Sequence, residues 1–166
     1  MGQEANERIL ELFFEFPDNS FTVRETAKET RIPKSTVQKY LTKLKQRKLI
    51  DKENKAVKSL LFKVRKTNFY IEKIVGSGLI EKLLELNPSV IILFGSFRKG
   101  ESSKGSDIDI FIETHSLVKV DLTKYEKKLK HKIDLHIYSS IRKVSENLQI
   151  NIINGIKLYG FLDIND

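Results

Sequence analysis

The 166-residue chain has no cysteine and no tryptophan, one methionine, three prolines and eight glycines. Without cysteine there is neither a disulfide nor a thiolate metal site, and a cytoplasmic address is expected. No run of 18 apolar residues occurs, so no membrane span is expected. Met1 to Glu7 are polar and acidic, where a secretory signal would be basic and then apolar. The three histidines, His115, His131 and His136, show no metal-ligand spacing, and no zinc site is expected from them. Internal repeats and low-complexity tracts are also missing. What remains has room for one medium domain or two small ones.

The net charge of +8 is unevenly placed. Residues 1–66 hold 16 Lys/Arg against 9 Asp/Glu, while residues 67–166 hold 14 against 13. Within 28–66 the count is 14 against 3, so nearly all the excess lies there. Localised positive charge is the footprint of a module that binds a polyanion.

Residues 3–16 carry Ile9, Leu10, Leu12, Phe13, Phe14 and Phe16 as an apolar helical stripe, which Pro17-Asp18-Asn19-Ser20 breaks. Thr22 and Glu25 form a capping box. The helix it opens runs to about Thr30, with Val23 and Ala27 inward. A second helix is expected over about 34–48, with Val37, Tyr40, Leu41 and Leu44 inward and Lys34, Ser35, Thr36, Gln38, Lys39, Thr42 and Lys43 outward. Leu49 to Lys52, a turn at Glu53-Asn54, and Val57 to Val64 suggest a small hairpin. This order resembles a winged helix-turn-helix, most specifically at Ser35-Thr36-Val37. The resemblance implies binding of double-stranded DNA, with Ser35, Thr36, Gln38 and Lys39 toward the major groove, Lys52, Lys55 and Lys58 near phosphates, and Lys34 and Lys43 also among the DNA-binding residues.

The second half is richer in chemistry. Val90-Ile91-Ile92-Leu93-Phe94 runs into Gly95-Ser96, where glycine allows close backbone approach and serine adds a hydroxyl. After a polar loop, residues 106–113 alternate, so Asp107 and Asp109 share one face and Ile108, Ile110 and Ile112 the other. Carboxylates at i and i+2 of a strand lie about 6–7 Å apart. Their repulsion is roughly 2–3 kcal/mol at an effective dielectric near 20, which a hard divalent cation would relieve. A further alternating run buries Ile133, Leu135 and Ile137 and turns Asp134 to the other side. Leu79 to Leu86 is helical in period, Leu117–Lys132 reads as a Lys-rich crossover helix, and Leu148–Leu158 as a final amphipathic helix stopped at Gly160.

Gly95, Ser96, Lys99, Gly100, Ser106, Asp107, Asp109 and Asp134 together resemble the polymerase-β-like nucleotidyltransferase superfamily in its minimal form, over about residues 79–160. The expected architecture is α+β. A winged helix-turn-helix over residues 1–67 precedes a minimal nucleotidyltransferase α/β domain with a short mixed sheet over residues 68–166. The resemblance implies attack by an acceptor hydroxyl on the α-phosphate of ATP or another nucleoside triphosphate, with release of pyrophosphate. Asp107, Asp109 and Asp134 would be the catalytic acids and would hold Mg2+ or Mn2+, while Gly95, Ser96, Arg98, Lys99 and Ser106 would bind the nucleotide.

About 100 residues leave no room for an acceptor-binding domain. That surface would come from a homodimer mate, a partner, or the attached winged helix. Minimal nucleotidyltransferases are often paired with a small helical HEPN-type toxin, and some move AMP onto its tyrosine. With a DNA-binding arm, the expectation is a toxin–antitoxin protein that also regulates its own operon. The alternative is a nucleotide-sensing transcription regulator without transferase turnover.

Overall fold

The computed structural model describes residues 2–116 and 118–163. The chain divides into two compact units, Met1–Arg65 and Lys66–Asp166, and the division falls within one helix. No described helix is long and apolar enough to cross a membrane.

The first unit holds α1 (Gly2–Glu15), α2 (Val23–Thr30), α3 (Lys34–Gln46) and the opening turns of α4 (Leu60–Gly76). Ile9, Phe13 and Phe14 of α1 are fully buried, and Phe14 meets Phe62 edge-on at 5.2 Å. Thr22 caps α2 as its sequence implies: its hydroxyl accepts from the Glu25 amide while its own amide donates to Glu25. The inward positions of α2 differ from expectation. Val23 and Ala27 are half-buried, and Thr26 and Thr30 are the buried residues. Threonine can be buried there because each hydroxyl donates to the carbonyl four residues back, Thr22 at 3.0 Å and Thr26 at 2.6 Å. On α3, Val37, Leu41 and Leu44 form the inner stripe, and Tyr40 is half-buried.

The hairpin is shorter than the sequence suggests. Asp51 organises the turn, its side chain accepting from the amides of Glu53 and Lys55 at 3.0 and 2.8 Å. Among the described residues, strand-like pairing here consists of the bridges Ser20–Lys55 and Ile50–Ala56. Residues 60–64, read as strand, open α4 instead, with Ser59 accepting from the Phe62 amide at its start. A short apolar run does not by itself separate strand from helix, and burial of Phe62 decides for helix here.

The second unit continues α4 and adds α5 (Leu79–Leu84), β1 (Val90–Phe94), α6 (Gly95–Lys99), β2 (Ile108–Glu113), α7 (Thr123–Leu129), β3 (Ile133–Tyr138), a 3-10 turn (Ile141–Lys143), α8 (Glu146–Ile153) and β4 (Ile156–Gly160). The result is an α+β fold with a mixed four-stranded sheet in the order β3-β2-β1-β4. β1 is antiparallel to both β2 and β4, and β2 runs parallel to β3.

Two expected helices are altered. The crossover helix is confined to Thr123–Leu129; Leu117, where the expected helix began, lies outside the described residues. The final helix ends at Ile153, and the chain turns through Gly155 into β4. A Cβ at Gly155 would lie 2.3 Å from Ile92 Cγ2 and 2.8 Å from the Leu93 carbonyl oxygen, so the turn is pressed onto β1. The same alternation of apolar residues that allows a helix over 148–158 also serves a helix followed by an edge strand.

Register assigns the two faces of the sheet. Ile91 and Leu93 pair with Ile112 and Ile110, which pair in turn with Ile137 and Leu135. On β1, β2 and β3 this face is apolar. The opposite face carries Val90, Ile92, Phe94 and Phe111, covered by Ile141, Val144 and Ile152. Asp109 and Asp134 lie in the row of this face that begins at Phe94, the first half-buried and the second exposed.

Candidate active site

One row of residues crosses that second face: Phe94 on β1 is in register with Asp109 on β2, and Asp109 with Asp134 on β3. The next row is Ile92, Phe111 and His136. Ligand atoms of Asp109, Asp134 and His136 all lie within 4.8 Å of one another. His136 Nε2 is 3.2 Å from Asp134 Oδ2, and its ring packs edge-on against Phe94 at 5.2 Å. Parallel pairing of β2 with β3 creates this cluster, since it sets the two aspartates side by side on adjacent strands.

Gly95 closes the cluster on the β1 side. Its φ of 70° lies in the left-handed region, and a Cβ there would come within 1.9 Å of Asp109 Oδ2. Only glycine allows the chain to turn from β1 into α6 against that carboxylate.

Asp109 is half-buried, and its carboxyl is pushed above the ordinary range. Loss of hydration is the largest cause, followed by the negative charge of Asp134; Asp107 adds to it and His136 opposes it. Two carboxylates and an imidazole converging on a partly dehydrated spot fit a divalent cation, whose charge would relieve the like-charge contact. The donor set is thus one that could hold a metal ion.

Asp107 lies just before β2 and is exposed; it is not part of the three-residue cluster, though its charge acts on Asp109. Asp107 and Ser106 line a cleft of about 380 Å3 together with Lys104, Lys127, Lys130 and Lys132. The loop before β2 is pinned by His131, buried and donating from Nδ1 to the Ser106 carbonyl at 2.9 Å, while the Ser106 hydroxyl accepts from the Ser103 amide. Lys66, buried on α4, donates from Nζ to the Ser102 carbonyl. His131 and Ser106 therefore have structural work in shaping this loop.

Ser96 is half-buried on α6, and its carbonyl accepts from the Glu101 amide at 3.0 Å. Arg98 and Lys99 are exposed at the C-terminal end of the same short helix, which ends at Gly100 in the left-handed region. Phe97 anchors this helix, packing edge-on against Tyr70 at 4.8 Å and His131 at 4.9 Å.

Reading histidines only for spacing against one another missed His136. The signal was present: alternation along β3 puts residues 134 and 136 on one face.

Of the residues expected to meet DNA, Lys34, Ser35, Gln38, Lys39 and Lys43 are exposed on α3, and Thr36 is half-buried. Lys52 and Lys58 are exposed near the turn, Lys55 is half-buried, and Lys58 pairs with Asp18 at 2.7 Å.

A family model described as a nucleotidyltransferase domain matches residues 77–158, a stretch that contains Gly95, Ser96, Asp107, Asp109, Asp134 and His136. The match supports a nucleotidyltransferase domain in the second unit, and with it a transferase. Searches of curated proteins and of solved structures returned no match.

Proposed function

We propose that the protein transfers a nucleoside monophosphate, AMP in the first instance, from a nucleoside triphosphate to a hydroxyl acceptor. The observation that carries this reading is the convergence of Asp109, Asp134 and His136 beside Gly95, within the stretch matched by the family model. The acceptor oxygen forms a bond to the α-phosphorus, the bond from the α-phosphorus to the β-bridging oxygen breaks, and pyrophosphate leaves. Asp109 and Asp134, with His136, would hold Mg2+ or Mn2+, and Asp107 would border that centre. A divalent cation held there supplies positive charge to the triphosphate oxygens as negative charge builds on the leaving group. Asp134, whose side chain is 59% exposed, is open to an incoming acceptor and takes or orients its hydroxyl proton. The Gly95 turn and Ser96 bind the terminal phosphates, and Arg98 or Lys99 adds positive charge beside them. Ser106 contributes indirectly, by holding the loop that carries Asp107.

The acceptor in this reading is a separate protein, a tyrosine of a small helical HEPN-type partner. Incubation with α-labelled ATP and a divalent cation in host lysate should label one protein band, absent when Asp109→Asn is used, and the band identifies the acceptor. Absence of label with all four nucleotides, alongside cation-dependent nucleotide binding, would replace the transferase with a nucleotide-sensing regulator.

The first unit is proposed as a winged helix-turn-helix that binds double-stranded DNA through the exposed face of α3 and regulates the operon of its own gene. The lysines on α3 and around the 51–54 turn support it. If about six of them neutralise phosphates, log affinity should fall with log salt at a slope near −5 in a titration of labelled duplex. A salt-independent interaction, or none, would remove the DNA arm from the proposal.

A further inference from the structure

We infer that His136 is a direct metal donor that tunes the centre toward Mn2+ and Co2+ over Mg2+, so that the native cofactor is a cation that accepts nitrogen. The inference rests on the transferase reading of this site and deepens it.

Three observations carry it. His136 Nε2 belongs to the converging set, with Asp109 and Asp134 ligand atoms within 4.8 Å. Its ring is fixed rather than free in solvent: the side chain is 21% exposed and packs edge-on across β2 against Phe94, itself buried on β1. The Nε2 edge is directed to the carboxylate cluster, as its 3.2 Å approach to Asp134 Oδ2 records. The β2–β3 register sets Asp109 beside Asp134, so the imidazole faces two carboxylates rather than the one an ordinary ion pair needs.

The consequence for metal choice follows from donor chemistry. Mg2+ is hard, dehydrates reluctantly and favours oxygen ligands in strict octahedral geometry. Imidazole is a better donor to later first-row cations, whose affinity rises from Mn2+ toward Co2+ and beyond. A centre of three oxygen donors would leave Mg2+ unopposed at cellular abundance. Replacing one of them by imidazole shifts the balance toward the nitrogen-accepting ions.

The test reads the bound ion directly. Mn2+ is added to the full chain, and pulsed electron paramagnetic resonance is recorded for 14N coupling, with affinities for Mn2+, Co2+ and Mg2+ measured by calorimetry. The wild type should show a directly coordinated 14N. His136→Gln, checked for folding by circular dichroism, should lose that coupling. Its affinity for Mn2+ and Co2+ should fall by about tenfold or more, the scale at which even outer-shell partners act on metal sites, while Mg2+ affinity changes little. Asp109→Asn should weaken all three.

Mn2+ bound without 14N coupling, but lost in Asp109→Asn, would overturn the role of His136 and leave the metal centre standing. Coupling that survives in His136→Gln would also overturn it, because the nitrogen would belong to another residue. Mn2+ binding that Asp109→Asn does not touch, or no binding at all, would remove both the inference and the centre on which the transferase reading depends. If His136→Gln does not fold, the wild-type spectrum alone decides between the presence and absence of a coordinated nitrogen.

Discussion

Asp109→Asn is expected to lower nucleotide transfer by about 10³-fold or more while leaving the chain folded. Loss of one preorganised electrostatic contact at a reacting centre commonly costs 10²–10³-fold, and Asp109 is the most dehydrated acid of the cluster, so its removal should fall at or beyond that end. The effect on stability should have the opposite sign. Asp109 has a carboxyl raised above the ordinary range, so the native state holds its proton more tightly than the unfolded chain does. Its ionisation therefore works against folding. That penalty appears as pH rises out of the ordinary carboxylate range through the raised value, and it vanishes below both. In the presence of a chelator at neutral pH, the asparagine variant should melt at or above the wild-type temperature. The difference should shrink as pH falls. Radiolabel transfer and a melting series across pH check the two halves separately. Transfer at the wild-type rate would remove Asp109 from the site, and a variant that melts lower at neutral pH would remove the like-charge account of it.

The two aspartates that cluster were more legible in the sequence than the elements joining them. Asp109 and Asp134 were found because alternation along each strand turns a carboxylate away from a run of isoleucines, a pattern that depends only on the two-residue period. What alternation could not supply was register. Whether Asp109 faces Asp134 or a neighbour two residues away is decided by how β2 and β3 align, and this alignment also brings in His136. Asp107 lies just before the strand starts, where the hydrogen bond from His131 to the Ser106 carbonyl helps set the chain path. The altered boundaries have a common cause. Residues 57–64 and 148–158 are short apolar segments compatible with either period, and contacts distant in sequence chose between them: Phe62 against Phe14, and Gly155 against Ile92. By contrast, the Thr22–Glu25 cap was readable outright, because all its partners lie within four residues.

Gly95→Ala should damage stability and transfer together, and Gly78→Ala separates its two causes. Both glycines have positive φ, 70° and 86°, so an alanine at either carries the backbone strain of the left-handed region, about 1–2 kcal/mol. Their surroundings differ. A Cβ at residue 78 meets nothing within 4 Å, whereas at residue 95 it would lie 1.9 Å from Asp109 Oδ2 and 2.8 Å from its Cγ. Relief at residue 95 requires the Asp109 carboxylate to move away from Asp134 and His136, or the turn into α6 to shift with Ser96. Either displacement is on the order of 1 Å, enough to cost about 10²-fold in a positioned reaction. Gly78→Ala should therefore lose about 1–2 kcal/mol of stability and keep its transfer rate. Gly95→Ala should lose at least as much stability, about 10²-fold in transfer, and Mn2+ affinity as well. Denaturant melts, transfer rates and metal titration on the pair make the comparison. Equal transfer by the two variants would mean that Asp109 does not need its place against the Gly95 turn, and the reactive centre would have to be sought on the lysine-lined side of Asp107.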